Sequence, residues 1–235
     1  MLESPTGEPE LTLNLNDGTN EQVSIIVMHH NKPAYLNICV QSIHNCSHLN
    51  NYEIIVVDNN SDQETQEYLD MLEEEGIKVV RNKENRYWSA AANQGVKAAD
   101  PNSNYFIFLH DDTVVLDPSW VDILVGISSS KDAGIVGTSL GEYYIDKQRI
   151  QYIHEWCMLV SRRCWQDCGP WEEELPLVGM SFILTLKAQM KGYKPQSTGN
   201  SIVHHYKVFS LDPSEYEKMN EKSKGMLSKL IQNLR

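Results

Sequence analysis

From Val23 onward, apolar β-rich runs alternate with stretches whose apolar residues recur at helical spacing. Val23–Met28, Glu53–Val57 and Lys78–Arg81 read as strands. The helix predicted after Pro33 carries Leu36, Val40 and Ile43 on one face and starts at a proline, whose missing N–H is no loss in the first turn. The next helix opens at Ser61-Asp62-Gln63-Glu64, with Ser61 and Glu64 spaced for a capping box, and closes at Gly76. A third follows Ser89 through an Ala-rich run to Ala99. Tyr105–Leu109 is almost continuously apolar, the mark of a strand buried on both faces. Asp117-Pro118 then starts a helix bearing Trp120, Ile123, Leu124 and Ile127, ahead of a strand over Gly134–Thr138. This rhythm predicts an α/β fold, an open, mostly parallel sheet flanked by helices.

Beyond Gly141 the pattern weakens, leaving a strand at Cys157–Val160, a helix at Phe182–Met190 and a last strand at Ser201–His204. Pro213–Arg235 reads as one amphipathic helix packed across the body. Residues 1–22 are polar apart from a brief Leu11–Leu15 alternation, so a tail or peripheral strand is expected there. Composition changes this picture little: 41% hydrophobic and 22% charged residues in a chain of 235 suit one ordinary globular core. Charge changes it more. A net charge of -12 opposes attachment to nucleic acid or anionic lipid, and a protein so acidic needs a cation or placed donors to hold an anionic ligand. No stretch reaches membrane-span length and the amino terminus lacks a secretion signal, so no membrane span and a cytoplasmic setting are expected. The cysteines, Cys39, Cys46, Cys157, Cys164 and Cys168, lack zinc-site spacing and read as free structural thiols.

In an open parallel sheet, ligands bind outside the carboxyl ends of the strands, which directs attention to the first polar residues after each strand. They are His29-His30-Asn31, Asp58-Asn59-Asn60, Asn82 to Asn85, and His110-Asp111-Asp112. Adjacent carboxylates directly after a buried strand repel one another and are costly to hold near a low-dielectric core, so Asp111-Asp112 implies a cation. Hard oxygen ligands suit Mg²⁺ or Mn²⁺, which keep positions open for phosphate oxygens. The chain has no Gly-x-Gly-x-x-Gly or Walker loop to cradle phosphates, so a metal-bridged diphosphate is the expected ligand.

At these residues the sequence resembles the family 2 glycosyltransferases of GT-A fold, over residues 23 to about 206. Val23–Asn31 with Pro33 and Leu36 looks like that family's first strand and helix, and Ile54–Ser61 looks like its second strand. Asn85 through Asn93-Gln94-Gly95 resembles its loop and helix, and Phe108–Val115 stands where its Asp-x-Asp motif occurs. Gly169–Glu173, Gly192-Tyr193-Lys194 and Val203-His204-His205 resemble its acceptor-side and closing segments. The resemblance implies a nucleotide-binding half over 23–140 and an acceptor half over 141–212, with the amphipathic helix over 213–235 beyond them. It implies transfer of a sugar from a nucleoside diphosphate sugar to a carbohydrate or other hydroxyl acceptor, with Mn²⁺ or Mg²⁺ as cofactor. Asp58 and the His29, His30, Asn31 turn would hold base and ribose, Asn60, Asn85 and Asn93 would join the donor site, and Asp111 would lie near ribose and diphosphate. Asp112 would bind the metal, with His204 completing the site and His205 behind it. Trp88 is the best placed of the tryptophans to stack on a sugar.

One departure bears on catalysis. Inverting members carry a Glu-Asp pair ahead of the helix that leads into the Gly-Tyr segment, and aligned back from Gly192 those acids fall on Met180 and Ser181. Neither side chain is a base at neutral pH, and losing general-base help costs typically ~10²–10⁴-fold in rate. Three explanations stand: Glu173 of the Glu172-Glu173-Glu174 run supplies the carboxylate, the reaction retains configuration, or the domain binds a sugar nucleotide without transferring it. A sugar nucleotidyltransferase is the rival enzyme class, but the glycine- and lysine-rich early loop it needs is missing.

Overall fold

The computed structural model describes residues 21–47, 51–130, 132–175, 177–199, 201–208 and 212–234. The Leu11–Leu15 alternation lies outside the described residues. The elements run β1 (Val23–His29), α1 (Pro33–Cys46), β2 (Tyr52–Asp58), α2 (Gln63–Glu74), β3 (Lys78–Arg81), α3 (Tyr87–Ala98), β4 (Tyr105–His110) and β5 (Thr113–Val115). They continue with α4 (Trp120–Ser128), β6 (Ile135–Gly137), β7 (Leu140–Ile145), β8 (Gln148–Ile153), β9 (Cys157–Ser161), α5 (Arg162–Cys168), α6 (Met180–Met190), β10 (Pro195–Ser197), β11 (Val203–His205) and α7 (Pro213–Asn233).

A seven-stranded sheet in the order β10-β6-β9-β4-β1-β2-β3 forms the centre. Alternate side chains of its strands feed two separate cores, as the two-residue strand period demands. Ile26, Met28, Ile55, Val57, Phe106 and Phe108 point to one face, where α3 (Ala91, Ala92), α6 (Phe182, Ile183) and α7 (Leu227, Ile231) cover them. Ile25, Val27, Ile54, Val56, Ile107 and Leu109 point to the other, against α1 (Leu36, Val40), α2 (Leu69, Leu72) and α4 (Trp120, Leu124). Full burial stabilises each such side chain by about 1.5–3 kcal/mol, which is why both faces of these strands are apolar. Helix α3 lies so close to β1 that a Cβ on Gly95 would come within 2.2 Å of Ile26 Cγ2. No helix among the described residues is long and apolar enough to cross a membrane.

The mostly parallel α/β sheet agrees with the sequence pattern, and the exceptions locate the site. β1, β2, β3 and β4 are mutually parallel, whereas β9 runs antiparallel to both β4 and β6. Among the described residues the pattern did not give the hairpin β7–β8, the short β5, α5 or β10, whereas the last strand expected at Ser201–His204 appears as β11, paired antiparallel with β5. The capping box also resolves differently. Asp62, not Ser61, caps α2, accepting from Thr65 N at 3.0 Å, and the Ser61 hydroxyl donates instead to Asp58.

Candidate functional site

The carboxyl ends of β1 and β4 lie side by side, with Met28 opposite His110 in register. Here the chain leaves β4 through His110-Asp111-Asp112 and turns at once into β5. The turn is fixed from below: Thr113 Oγ1 donates to His110 O at 2.8 Å and the Cys39 thiol leans on the same carbonyl at 3.8 Å. Burial pushes the Cys39 thiol up to about 12, so it serves as packing rather than as a nucleophile. Above the turn opens a cleft of about 480 Å³, within the ordinary range for small-molecule sites.

Strand β11 brings the closing segment to the turn. His205 sits opposite Thr113 in the antiparallel register, and its Nε2 lies 3.1 Å from Asp112 Oδ1. His110 Nδ1 is 3.9 Å from the same oxygen, and one donor atom from each of His110, Asp112 and His205 falls within 4.8 Å of the others. The two imidazoles meet edge to face at 5.1 Å, and Trp156 stacks on His205 at 5.2 Å, fixing its plane. Asp112 is anchored by Val208 N, which donates to Oδ2 at 2.6 Å, and by Tyr206 N, which donates to its carbonyl at 2.9 Å. Desolvation works to raise the Asp112 pKa, but the bond to His205, the Val208 amide and the neighbouring imidazoles outweigh it and hold the carboxyl below its usual range. His110 keeps 25% of its side-chain surface open to the cleft, yet the protein around it desolvates the ring and depresses its pKa. The result is a carboxylate beside a His110 ring that favours the neutral, ligating form.

These residues fit a divalent cation on the chemistry of the donor set: two imidazoles and a carboxylate converge, and the His110 Nε2 is buried with no hydrogen-bond partner among the described residues. Nine buried side-chain polar atoms there lack a partner, and four of them, on His29, His30, Trp88 and His110, belong to residues that line this cleft. Buried polar groups are otherwise satisfied almost without exception, so this concentration marks a surface shaped to receive a polar ligand.

The residues expected from sequence divide into two groups. His29, His30, Asn85, Trp88, Asp111 and Asp112 line the cleft. His29 is buried, and its Nδ1 grips Asp111 Oδ2 at 2.5 Å, so it aims that carboxylate. Asn31, Asp58, Asn60, Asn93, Glu173 and His204 do not line it. Asp58 is fully buried and folds back onto the β2–α2 turn, where Ser61 and Gln66 Nε2 (2.8 Å) occupy its oxygens. Asn31 binds the same turn, with its Oδ1 accepting from Asp62 N at 2.9 Å, and Asn60 is an exposed turn residue at φ 63°. It is Asn59 that reaches the cleft. Asn93 clamps the backbone of Trp171, through Trp171 N to Oδ1 (2.9 Å) and Nδ2 to Trp171 O (3.0 Å). Glu173 pairs with Arg86 at 3.2 Å out in solvent. His204 is exposed and packs edge-on against Tyr206; the two-residue period turns it away from Asp112 and turns His205 toward it.

Sequence reasoning missed Glu155 and His154, and gave Trp156 no particular weight. The cause is the direction of β9. A strand antiparallel to its neighbours brings its beginning, not its end, to the ligand edge, and Cys157 at the start of β9 pairs with Leu109 near the end of β4. The residues that precede β9 therefore enter the cleft, along with Met180 at the start of α6 and Tyr216 of α7.

A cleft at the carboxyl edge of a mostly parallel sheet, with a metal-capable cluster at its floor, defines a GT-A-type domain. Comparison with known proteins carries this further: the profile of Glycosyl transferase family 2 matches residues 24–183, and the chain belongs to that family. Among curated relatives, the O-antigen biosynthesis protein RfbC of Myxococcus xanthus is 23% identical over 222 residues, 78% of this chain. The chain spans 14% and 17% of the lengths of the first two curated relatives it matches. Among solved structures, the mannosyltransferase PcManGT from Pyrobaculum calidifontis in complex with GDP-Man and Mn²⁺ is similar at TM-score 0.64 and 17% identity, covering 77% of this chain and 56% of that one. Glucosyl-3-phosphoglycerate synthase from Mycobacterium tuberculosis, in complex with Mn²⁺, UDP and phosphoglyceric acid, is similar at TM-score 0.64 and 16% identity, covering 90% and 78%.

Proposed function

We propose that this chain transfers a sugar from a nucleoside diphosphate sugar to a carbohydrate or other hydroxyl acceptor, with His110, Asp112 and His205 holding a divalent cation. The convergence of those three donors in the cleft, within 4.8 Å of one another, carries the reading. It is supported by the family and by the nucleotide and Mn²⁺ complexes of structurally similar proteins.

The cation supplies compensation for the negative charge that develops on the departing diphosphate. The protein's own groups do the rest. His29 holds the Asp111 carboxylate at the cleft, where it is placed to accept from ribose hydroxyls. His30, Asn59 and Asn85 offer polar atoms along the β1 and β2 side, and Trp88 presents an aromatic wall with a buried, unpartnered Nε1–H. Two imidazoles beside one carboxylate form a softer set than an all-oxygen one, and this leans toward Mn²⁺ over Mg²⁺.

Titration calorimetry of UDP and GDP with and without Mn²⁺ tests the assignment. The wild-type protein binds at least one of them in a Mn²⁺-dependent manner, and Asp112→Ala abolishes that dependence; unchanged metal-dependent affinity in Asp112→Ala would refute the site.

A further inference from the structure

The family's acids are absent from the start of α6, where this chain has Met180 and Ser181. The structure nevertheless puts a carboxylate beside that position. Ser181 is buried, and its hydroxyl donates to Glu155 Oε2 at 2.7 Å. Glu155 comes from a different part of the chain, the connection between β8 and β9, and lines the cleft together with Met180 and His110. A carboxylate has about four lone-pair directions and Ser181 takes one of them, so capacity for another donor remains.

We propose that Glu155 is the base that deprotonates the acceptor hydroxyl, with Ser181 as its positioning residue. This rests on the transferase reading given above. In the step, the acceptor oxygen forms its bond to the anomeric carbon while the bond from that carbon to the diphosphate oxygen breaks. The bonding electrons leave with the nucleoside diphosphate, and the hydroxyl proton passes to a Glu155 oxygen, from which it returns to solvent. The serine that replaces the family's acid thus orients an acid supplied by another loop. Glu173, the choice from sequence, sits outside the cleft in an ion pair with Arg86.

The test compares wild type, Glu155→Gln, Glu155→Asp and the double variant Glu155→Gln/Ser181→Asp. UDP-glucose, UDP-N-acetylglucosamine and GDP-mannose serve as probes with Mn²⁺, and the readouts are release of nucleoside diphosphate, calorimetric affinity for UDP and GDP, and melting temperature. Glu155→Gln lowers kcat by ~10²–10⁴-fold with little change in KM, while nucleotide affinity and melting stay at wild-type values. Glu155→Asp keeps part of the rate, and the double variant, which restores an acid on α6, recovers part of what Glu155→Gln loses. A full rate in Glu155→Gln overturns the assignment while leaving the transferase reading intact. A parallel loss of Mn²⁺-dependent nucleotide affinity also overturns it, by making Glu155 a binding group. Wild-type protein that binds UDP or GDP with Mn²⁺ yet releases nothing from any probe overturns the transferase reading, and the base with it.

Discussion

Neighbouring side chains on a strand point to opposite faces, and here that period sorts two adjacent histidines. β11 runs antiparallel to β5 with His205 opposite Thr113, so the His205 ring meets Asp112 at 3.1 Å and the His204 ring faces solvent. Calorimetry should register the difference: His205→Ala weakens Mn²⁺-dependent UDP or GDP binding by at least ~10-fold, since even groups one step removed from a metal are worth 10–100-fold, and His204→Ala leaves it at the wild-type value. The adjacent acids after β4 could be read from sequence because their cost near an apolar strand is local. The choice between His204 and His205 could not, because it depends on a register with a strand some ninety positions away. Asp58 misled for a related reason. Its position at the end of β2 was legible, but Ser61 and Gln66, which draw its carboxylate inward, are turn residues whose side-chain bonds no periodicity announces.

At the scale of elements, the alternation of two-residue and helical periods gave β1 through β4 with their helices nearly to the residue. Past Gly141 it still gave β9, α6, β11 and α7, but it missed β7 and β8, whose strands carry mixed polar and apolar residues. The direction of β9 is a tertiary property, set by pairing with β4 and β6, and it hid Glu155 from a search confined to strand ends. Close packing within the well-read half yields its own prediction. Gly95 of α3 faces Ile26 of β1, and an added Cβ would collide with a side chain locked in the sheet centre, 2.2 Å away. Gly95→Ala is expected to cost about 1–3 kcal/mol through overpacking, lowering the melting temperature by roughly 2–12 °C in a thermal scan. An ordinary helix glycine would show the opposite sign, because alanine is the better helix former.

Across the whole molecule, α7 ties the stability of the body to the shape of the cleft. Leu227 and Ile231 pack into the core that contains α3 and α6, and Leu227 lies against Gly179, whose φ of 84° starts α6 with no side chain in the way. The other end of the same helix bears Glu215, which accepts from Tyr87 Oη at 3.0 Å, and Tyr216, which lines the cleft. Leu227→Ala is expected to lose about 2–5 kcal/mol, a drop in melting temperature of roughly 4–20 °C. Calorimetry well below that temperature should also show weaker UDP or GDP binding, since loosening the helix shifts Tyr216.

The reversed strand has a consequence for how such a domain changes over time. Parallel strands on one flank and the approach to β9 on the other reach the same rim by separate stretches of chain, so the two flanks are free to vary independently. Lengthening the β7–β8 arm at its Asp146-Lys147 turn would leave His29 and Asp111 in place, since the hairpin forms a sheet of its own apart from the central one. Under the proposed transferase function, a lineage built on this plan can exchange its recipients while its currency of activated sugar stays the same.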